Sequence, residues 1–290
     1  MNELYLSMGS LVERRNGFDT DAAARTIPSL MSRGLIDGAE FMFIGLYYEY
    51  GTTFPERLLS DGCVFPTFHT DKDIGTLLSN AGAAYAAGDK DAAAKLRREA
   101  LDKFRYNCEA SSAARSGRLI LHLWGGPDSD THIEYNRDAL PEIVGIADEY
   151  SLRVLVENVP SVLTDPVCNW HAVSDSFGKI GLVFDTRFAT CHDNAKETLT
   201  DSVAAPHIEH VHISDYRGGH KDFKCLRPVF HPGEGRADFP LIFDLLSQNG
   251  YKGTFTLESP AITGDGPEYD LVRLERSLVF VRESASGLRP

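Results

Sequence analysis

Glu157 in VLVENVP, Asp185 in GLVFDT, His212 in HVHISD and Glu258 in TFTLES each stand where an apolar, strand-like run ends. Carboxylate oxygens and imidazole nitrogens are donors to divalent cations, and three carboxylates with one imidazole make a hard, oxygen-rich set. That set suits Mn²⁺, with Mg²⁺ or Co²⁺ as alternatives, and is a poor match to the thiolate- and histidine-rich sets of structural zinc. Taken singly, a strand-end glutamate reads as a solvated turn residue or a helix cap. Four on successive runs read as one site, provided the runs are neighbouring parallel strands whose ends converge. One divalent cation is therefore the expected cofactor.

The elements that must position these residues follow from an alternation along the chain. Apolar runs begin at Leu4 (LYLSMG), Ala39 (AEFMFI), Val64 (VFPTFH), Arg118 (RLILHLW), Arg153 (RVLVENV), Gly181 (GLVFDT), His210 (HVHIS) and Thr254 (TFTLE). Several are apolar on consecutive residues, as a parallel strand covered on both faces requires. Helical stretches lie between them: AAARTIPSLMSRG, KDAAAKLRREALDKFRYNCEASSAA, RDALPEIVGIADEY, FPLIFDLLSQNG and LVRLERSLVFVRES. Gly34, Gly117 and Gly250 are expected near helix C-termini, and Asp238 as an N-cap. The second unit is the weakest, because YYEYGTTFPERLLSDG is short and turn-rich for a helix. Ala81–Ala94 reads as an alanine-rich lead into the next helix. Eight strand–helix units without a composition break predict one domain over residues 1–290, an α/β protein of the (β/α)8 TIM-barrel class. Glu157, Asp185, His212 and Glu258 then fall on strands five to eight, at the C-terminal face where such barrels carry their chemistry.

Composition narrows the class further. Of the 290 residues, 42% are apolar and 24% charged, as in water-soluble globular chains. A formal charge of −13 argues against a protein that grips a phosphate backbone, so no nucleic-acid partner is expected. Five cysteines, at 63, 108, 168, 191 and 225, show no CxxC and no regular spacing, which suits reduced thiols. The start, MNELYLSMGS, lacks the basic and apolar regions of a secretory leader, and no long uncharged apolar run follows. A cytoplasmic protein with no membrane partner is the expectation.

HVHISD followed by HPGEGRADFPLIFDLLSQNGYKGTFTLES resembles the last two units of the sugar isomerases and epimerases built on a xylose isomerase-like barrel, the D-tagatose 3-epimerase type. VENVP and FDT extend the likeness upstream. The resemblance implies that Glu157, Asp185, His212 and Glu258 hold one divalent metal. It further implies that Glu157 and Glu258 face each other across a small carbohydrate as the catalytic acid–base pair. Chelation of a ketose carbonyl and its neighbouring hydroxyl acidifies the carbon between them, and the two carboxylates move that proton. A homo-oligomer is expected on the same ground.

The chain departs from the family in places. Phe188 stands three residues after Asp185, where the epimerases usually carry a histidine, and is expected to line the substrate pocket. The segment Asp215–His231 is longer than the epimerase loop, and Arg217 falls near a substrate-contacting arginine of the family. His69 and His122 end strands three and four and divide between substrate contact and core packing. Trp124 in HLWGG divides in the same way, and His231, just before PGEG, completes the candidate substrate contacts. The same fold hosts endonuclease IV, whose additional histidines His69 and His122 would match, but the strand-six histidine and the charge do not. Inosose dehydratase-type lyases share barrel and metal and are the main alternative, with C-glycoside cleavage and a non-catalytic binding barrel behind them. His210 is expected on the opposite side of its strand from His212, packed toward the helices, and His192, His207 and His220 in loops or at the surface. Gly233 and Gly235 read as a tight turn rather than a phosphate cradle.

Overall fold

The computed structural model describes residues 2–43, 45–262 and 268–288. Eight parallel strands close into a barrel in sequence order: β1 Leu4–Ser7, β2 Gly38–Met42, β3 Thr67–His69, β4 Arg118–Leu121, β5 Arg153–Glu157, β6 Gly181–Asp185, β7 Ile208–Ile213 and β8 Thr254–Leu257. The ring is sealed where β1 pairs with β8, Leu6 against Leu257. All eight expected strands are present.

Side chains alternate across each strand, so every strand contributes to two environments. Leu119, Leu121, Val154, Val156, Leu182 and Phe184 face outward into the apolar sleeve between barrel and helices. Their neighbours Ile120, Leu155 and Val183 form a separate small cluster inside the barrel. Around that cluster the interior is polar, holding Glu40, His210, Thr254 and Thr256, all buried.

The sleeve is covered by α1 Thr20–Ser32, α2 Thr53–Ser60, α3 Asp73–Ala86, α4 Lys90–Ala113, α5 Ile133–Glu149, α6 Pro166–Ala172, α7 Thr186–Cys191, α8 Ala195–Thr200, α9 Phe239–Gln248 and α10 Leu271–Ser286. The second and weakest unit carries its helix, α2, which packs Phe54 and Leu58 inward, and one expectation about helices is corrected. Ala81–Ala94 is not a lead-in: Ala81–Ala86 ends α3, the chain turns at Gly88, and α4 begins at Lys90. Asp238 caps α9 by accepting from the Leu241 N–H, as expected. Gly34 and Gly250 adopt positive φ after α1 and α9, whereas after α4 Arg115 does so in place of Gly117. Gly75 in α3 has a different reason to be glycine. A Cβ there would lie 2.4 Å from the His122 carbonyl oxygen, so α3 can seat against the end of β4 only without a side chain.

Candidate metal centre

Each expected ligand sits at or beside the C-terminal end of its strand. Glu157 and Asp185 are the last residues of β5 and β6, His212 is next to last in β7, and Glu258 follows β8. Register makes them converge: Asp185 pairs with His212, and His212 with Thr256. Ligand atoms of Glu157, Asp185 and His212 all lie within 4.8 Å of one another, and all three residues are buried. The Nδ1 of His212 is 2.7 Å from Glu157 Oε1 and 3.6 Å from Glu258 Oε1.

Neighbours fix the orientation of each group. Asn158 clamps the backbone of Asp185, accepting from its N–H at 2.6 Å and donating to its carbonyl at 3.2 Å. Asp185 Oδ1 caps α7 by accepting from the Phe188 N–H at 2.7 Å, which leaves Oδ2 buried without a hydrogen-bond partner among the described residues. His212 Nε2 lies 3.2 Å from Glu40 Oε2, so Glu40 selects the ring orientation that turns Nδ1 toward Glu157.

Glu157 is also flanked by His122 Nε2 at 2.6 Å and His69 Nε2 at 3.5 Å. The other nitrogen of His69 lies 2.9 Å from the Thr70 carbonyl, which suits a protonated Nδ1 and turns the Nε2 lone pair to the carboxylate. Burial lowers the His122 imidazole to about 4 despite Glu157, which favours its neutral form. A neutral His122 beside the unpartnered carboxylate oxygens of Glu157 and Asp185 leaves donors that a cation would satisfy. Glu157, Asp185 and His212, with Glu258 at the rim, fit one divalent ion. His69, His122 and Glu157 form a second ligand group, and Glu40, His210 and His212 a third.

Charges in this cluster are strongly shifted. Burial would raise Glu157, but His212 and His122 outweigh it and hold its carboxyl well below the usual range. Burial raises Asp185, opposed by Arg187 and reinforced by Glu157 and Glu258. For His212, burial is outweighed by Glu40, Glu258 and Glu157, so the imidazole lies well above its ordinary value.

The remaining predicted residues distribute unevenly. Phe188 is buried at the site, its ring 6.3 Å from His122 and under the guanidinium of Arg187. Trp124 is fully buried and donates its indole N–H to the Val159 carbonyl, which places it in the wall behind the site. His231 has both ring nitrogens engaged, with Ser277 Oγ at 2.7 Å and the Pro260 carbonyl at 2.9 Å. Arg217 is exposed, with Nε donating to the Glu234 carbonyl and its guanidinium over Phe230. The amides of Gly233, Gly235 and Ala237 form a nest, filled by the carboxylate of Asp215 at 2.8–3.0 Å.

One histidine expectation is overturned. His210 does not face the helices: residues i and i+2 of a strand share a face, so it lies inside the barrel beneath His212, ring centroids 5.1 Å apart. Its nitrogens lie 2.6 Å from Thr254 Oγ1 and 2.9 Å from Thr256 Oγ1. His192 stands in the turn after α7, as expected of a loop residue, and is buried there, its Nε2 accepting from the Ser161 N–H and its Nδ1 beside Asp165.

Sequence reasoning missed Glu40, Asn158 and Arg187. Glu40 carried a signal, a lone charge inside the apolar run AEFMFI.

The chain matches the family model described as xylose isomerase-like TIM barrel over residues 73–277. An uncharacterized protein of Methanocaldococcus jannaschii is 26% identical over 180 residues, which is 58% of this chain and 59% of that relative. Among solved structures, the D-allulose 3-epimerase of Methylomonas sp. in complex with D-allulose superposes with a TM-score of 0.69 at 18% identity, covering 98% of each chain. The IOLI protein with a bound zinc atom gives 0.68 at 15%, covering 99% of this chain and 97% of that one. At these identities the structural likenesses show the fold.

Proposed function

The chain belongs to the xylose isomerase-like TIM barrel family, and from that premise we propose that it is a divalent-metal-dependent isomerase or epimerase of a ketose or related polyol ketone. The observation that carries this reading is the convergence of Glu157, Asp185 and His212 within 4.8 Å at the strand ends, with Glu258 beside His212. Those four residues would hold the ion, for which Mn²⁺ suits the oxygen-rich set. The ion, when bound, would acidify the carbon between a ketone and its neighbouring hydroxyl.

Glu157 and Glu258 bracket His212 Nδ1, at 2.7 and 3.6 Å, and are the pair assigned to proton transfer. One carboxylate oxygen takes the carbon-bound proton. The other glutamate returns a proton to the opposite face in an epimerisation, or the first returns it to the adjacent carbon in an isomerisation. His69 and His122 flank Glu157 from the other side, where a neutral imidazole nitrogen can accept from a substrate hydroxyl. Phe188 closes one wall and limits the water that could quench the exchanging carbon.

The test is elemental analysis of protein reconstituted with Mn²⁺, followed by ketose screening for solvent deuterium uptake. One equivalent, lost in His212→Ala, with deuterium entering beside a ketone, is the expected result. No bound metal sinks the reading. Two equivalents would assign His69, His122 and Glu157 to a second ion and turn the search toward hydrolysis.

A further inference from the structure

Arg187 follows Asp185 by two residues and is 7% exposed. Its Nη1 donates to the Leu226 carbonyl at 3.1 Å, supplied by the long segment between β7 and α9. Its guanidinium carbon lies 4.6 Å from the centre of the Phe188 ring, so carbonyl and ring together fix the guanidinium. The opposite edge is unspent. Nη2 stands 3.8 Å from Asp185 Oδ2 and 3.7 Å from Glu258 Oε2, within ion-pair range but beyond a hydrogen bond. Nε is buried with no hydrogen-bond partner among the described residues.

We propose that Arg187 is the anion-receiving arm of this site, and that the substrate is an acidic sugar carrying a carboxylate or phosphate group near the carbons that exchange the proton. This rests on the metal-dependent isomerase reading above and specifies its substrate class. An Nε–Nη2 edge presents two parallel N–H groups, the fork that receives two oxygens of one oxyanion. A single hydroxyl or ketone oxygen can accept from both only off the axis of each N–H and brings no charge, whereas an oxyanion sets one charged oxygen in line with each. Charge points the same way. Asp185, Glu157 and Glu258 with a dication sum to −1, which would repel an anion, and the guanidinium brings the sum to zero. If Arg187 served only to balance Asp185 and Glu258, nothing would require its Nε to stay unpartnered.

A matched series of non-reacting polyols tests this by calorimetry: D-sorbitol, D-gluconate and D-sorbitol 6-phosphate, which differ in one terminal group. Titrations use Mn²⁺-reconstituted and chelator-treated protein, with metal content measured on the same samples. The wild type is expected to bind one of the anionic polyols roughly tenfold or more tighter than sorbitol. Preference for gluconate identifies a carboxylate, and preference for sorbitol 6-phosphate identifies a phosphate. Arg187→Met should abolish the preference while keeping the metal, and Arg187→Lys should restore it only in part, because an ammonium cannot fork. Equal binding of the three polyols by the wild type, or a preference that survives in Arg187→Met, overturns the proposal. The wild-type series decides even if a variant fails to fold. An anion preference in a protein that takes up no metal would retain the role of Arg187 and sink the isomerase reading instead.

Discussion

At the residue scale, the site is a set of charges that hold one another in place. Glu157→Gln and Glu258→Gln each keep the size of the side chain but remove a proton acceptor. Each is expected to reduce turnover at least about a hundredfold, and near-wild-type deuterium exchange in either would refute the pairing. Of the four expected ligands, Glu40 contacts only His212 among the described residues, and it also lies 3.4 Å from His210 Nε2. Its replacement by Gln should weaken Mn²⁺ about ten- to a hundredfold, with turnover recovering at saturating metal. An unchanged dissociation constant would make Glu40 a packing residue. Proton linkage gives a third expectation. In the metal-free protein both Asp185 and His212 titrate above their ordinary values, so a cation must displace protons from them. Affinity should rise with pH and binding should release protons, as calorimetry between about pH 6 and 8 would show. A flat or falling affinity contradicts the assigned ligands. Glu157, Asp185, His212 and Glu258 were legible because each is a polar full stop on an apolar run. Arg187 was not, since nothing in DTRFAT tells whether a guanidinium turns inward. His210 was misplaced by parity, although a period of two puts it beside His212.

At the element scale, strands were easier to read than helices. Consecutive apolar residues in GLVFD and RVLVE have no other reading in a chain of this composition. By contrast α3 is rich in glycine, serine and alanine, and its helical period is masked by small residues that serve close packing. That packing makes a prediction. In Gly75→Ala the new methyl would meet backbone of the β4 end, with the His122 oxygen at 2.4 Å and the Trp124 oxygen at 2.8 Å. Neither can swing away, so α3 must move. A loss of about 1–3 kcal/mol is expected in urea unfolding, and Mn²⁺-dependent turnover should fall through displacement of His122. Unaltered stability would mean that α3 has slack the close approach does not suggest. Asp215 plays a comparable part in the loop after β7. Its carboxylate gathers the amides of Gly233, Gly235 and Ala237 and so shapes the segment whose Leu226 carbonyl holds Arg187.

At the scale of the whole molecule, cohesion and chemistry occupy different places. The apolar sleeve outside the strands is continuous, whereas inside, among the described residues, only Ile120, Leu155 and Val183 cluster. Leu155 and Leu182 are equally inaccessible, yet they belong to these two environments. Leu182→Ala should therefore cost about 4–5 kcal/mol, because its cavity is dry and tightly walled. Leu155→Ala should cost nearer 2–3 kcal/mol, because water can enter beside polar neighbours. Urea midpoints at constant slope would show the ordering, and the reverse order would place the main core inside the barrel. Fold class was readable at this scale from the strand–helix alternation, but the polar lining was not, because register decides which alternate residues meet. The lining has a consequence for the protein's tolerance of change. Since little of the adhesive surface lies within the ring of strands, side chains there can be exchanged without unbinding the helices. The cylinder behaves as a socket whose fittings can be replaced while its casing stays sealed.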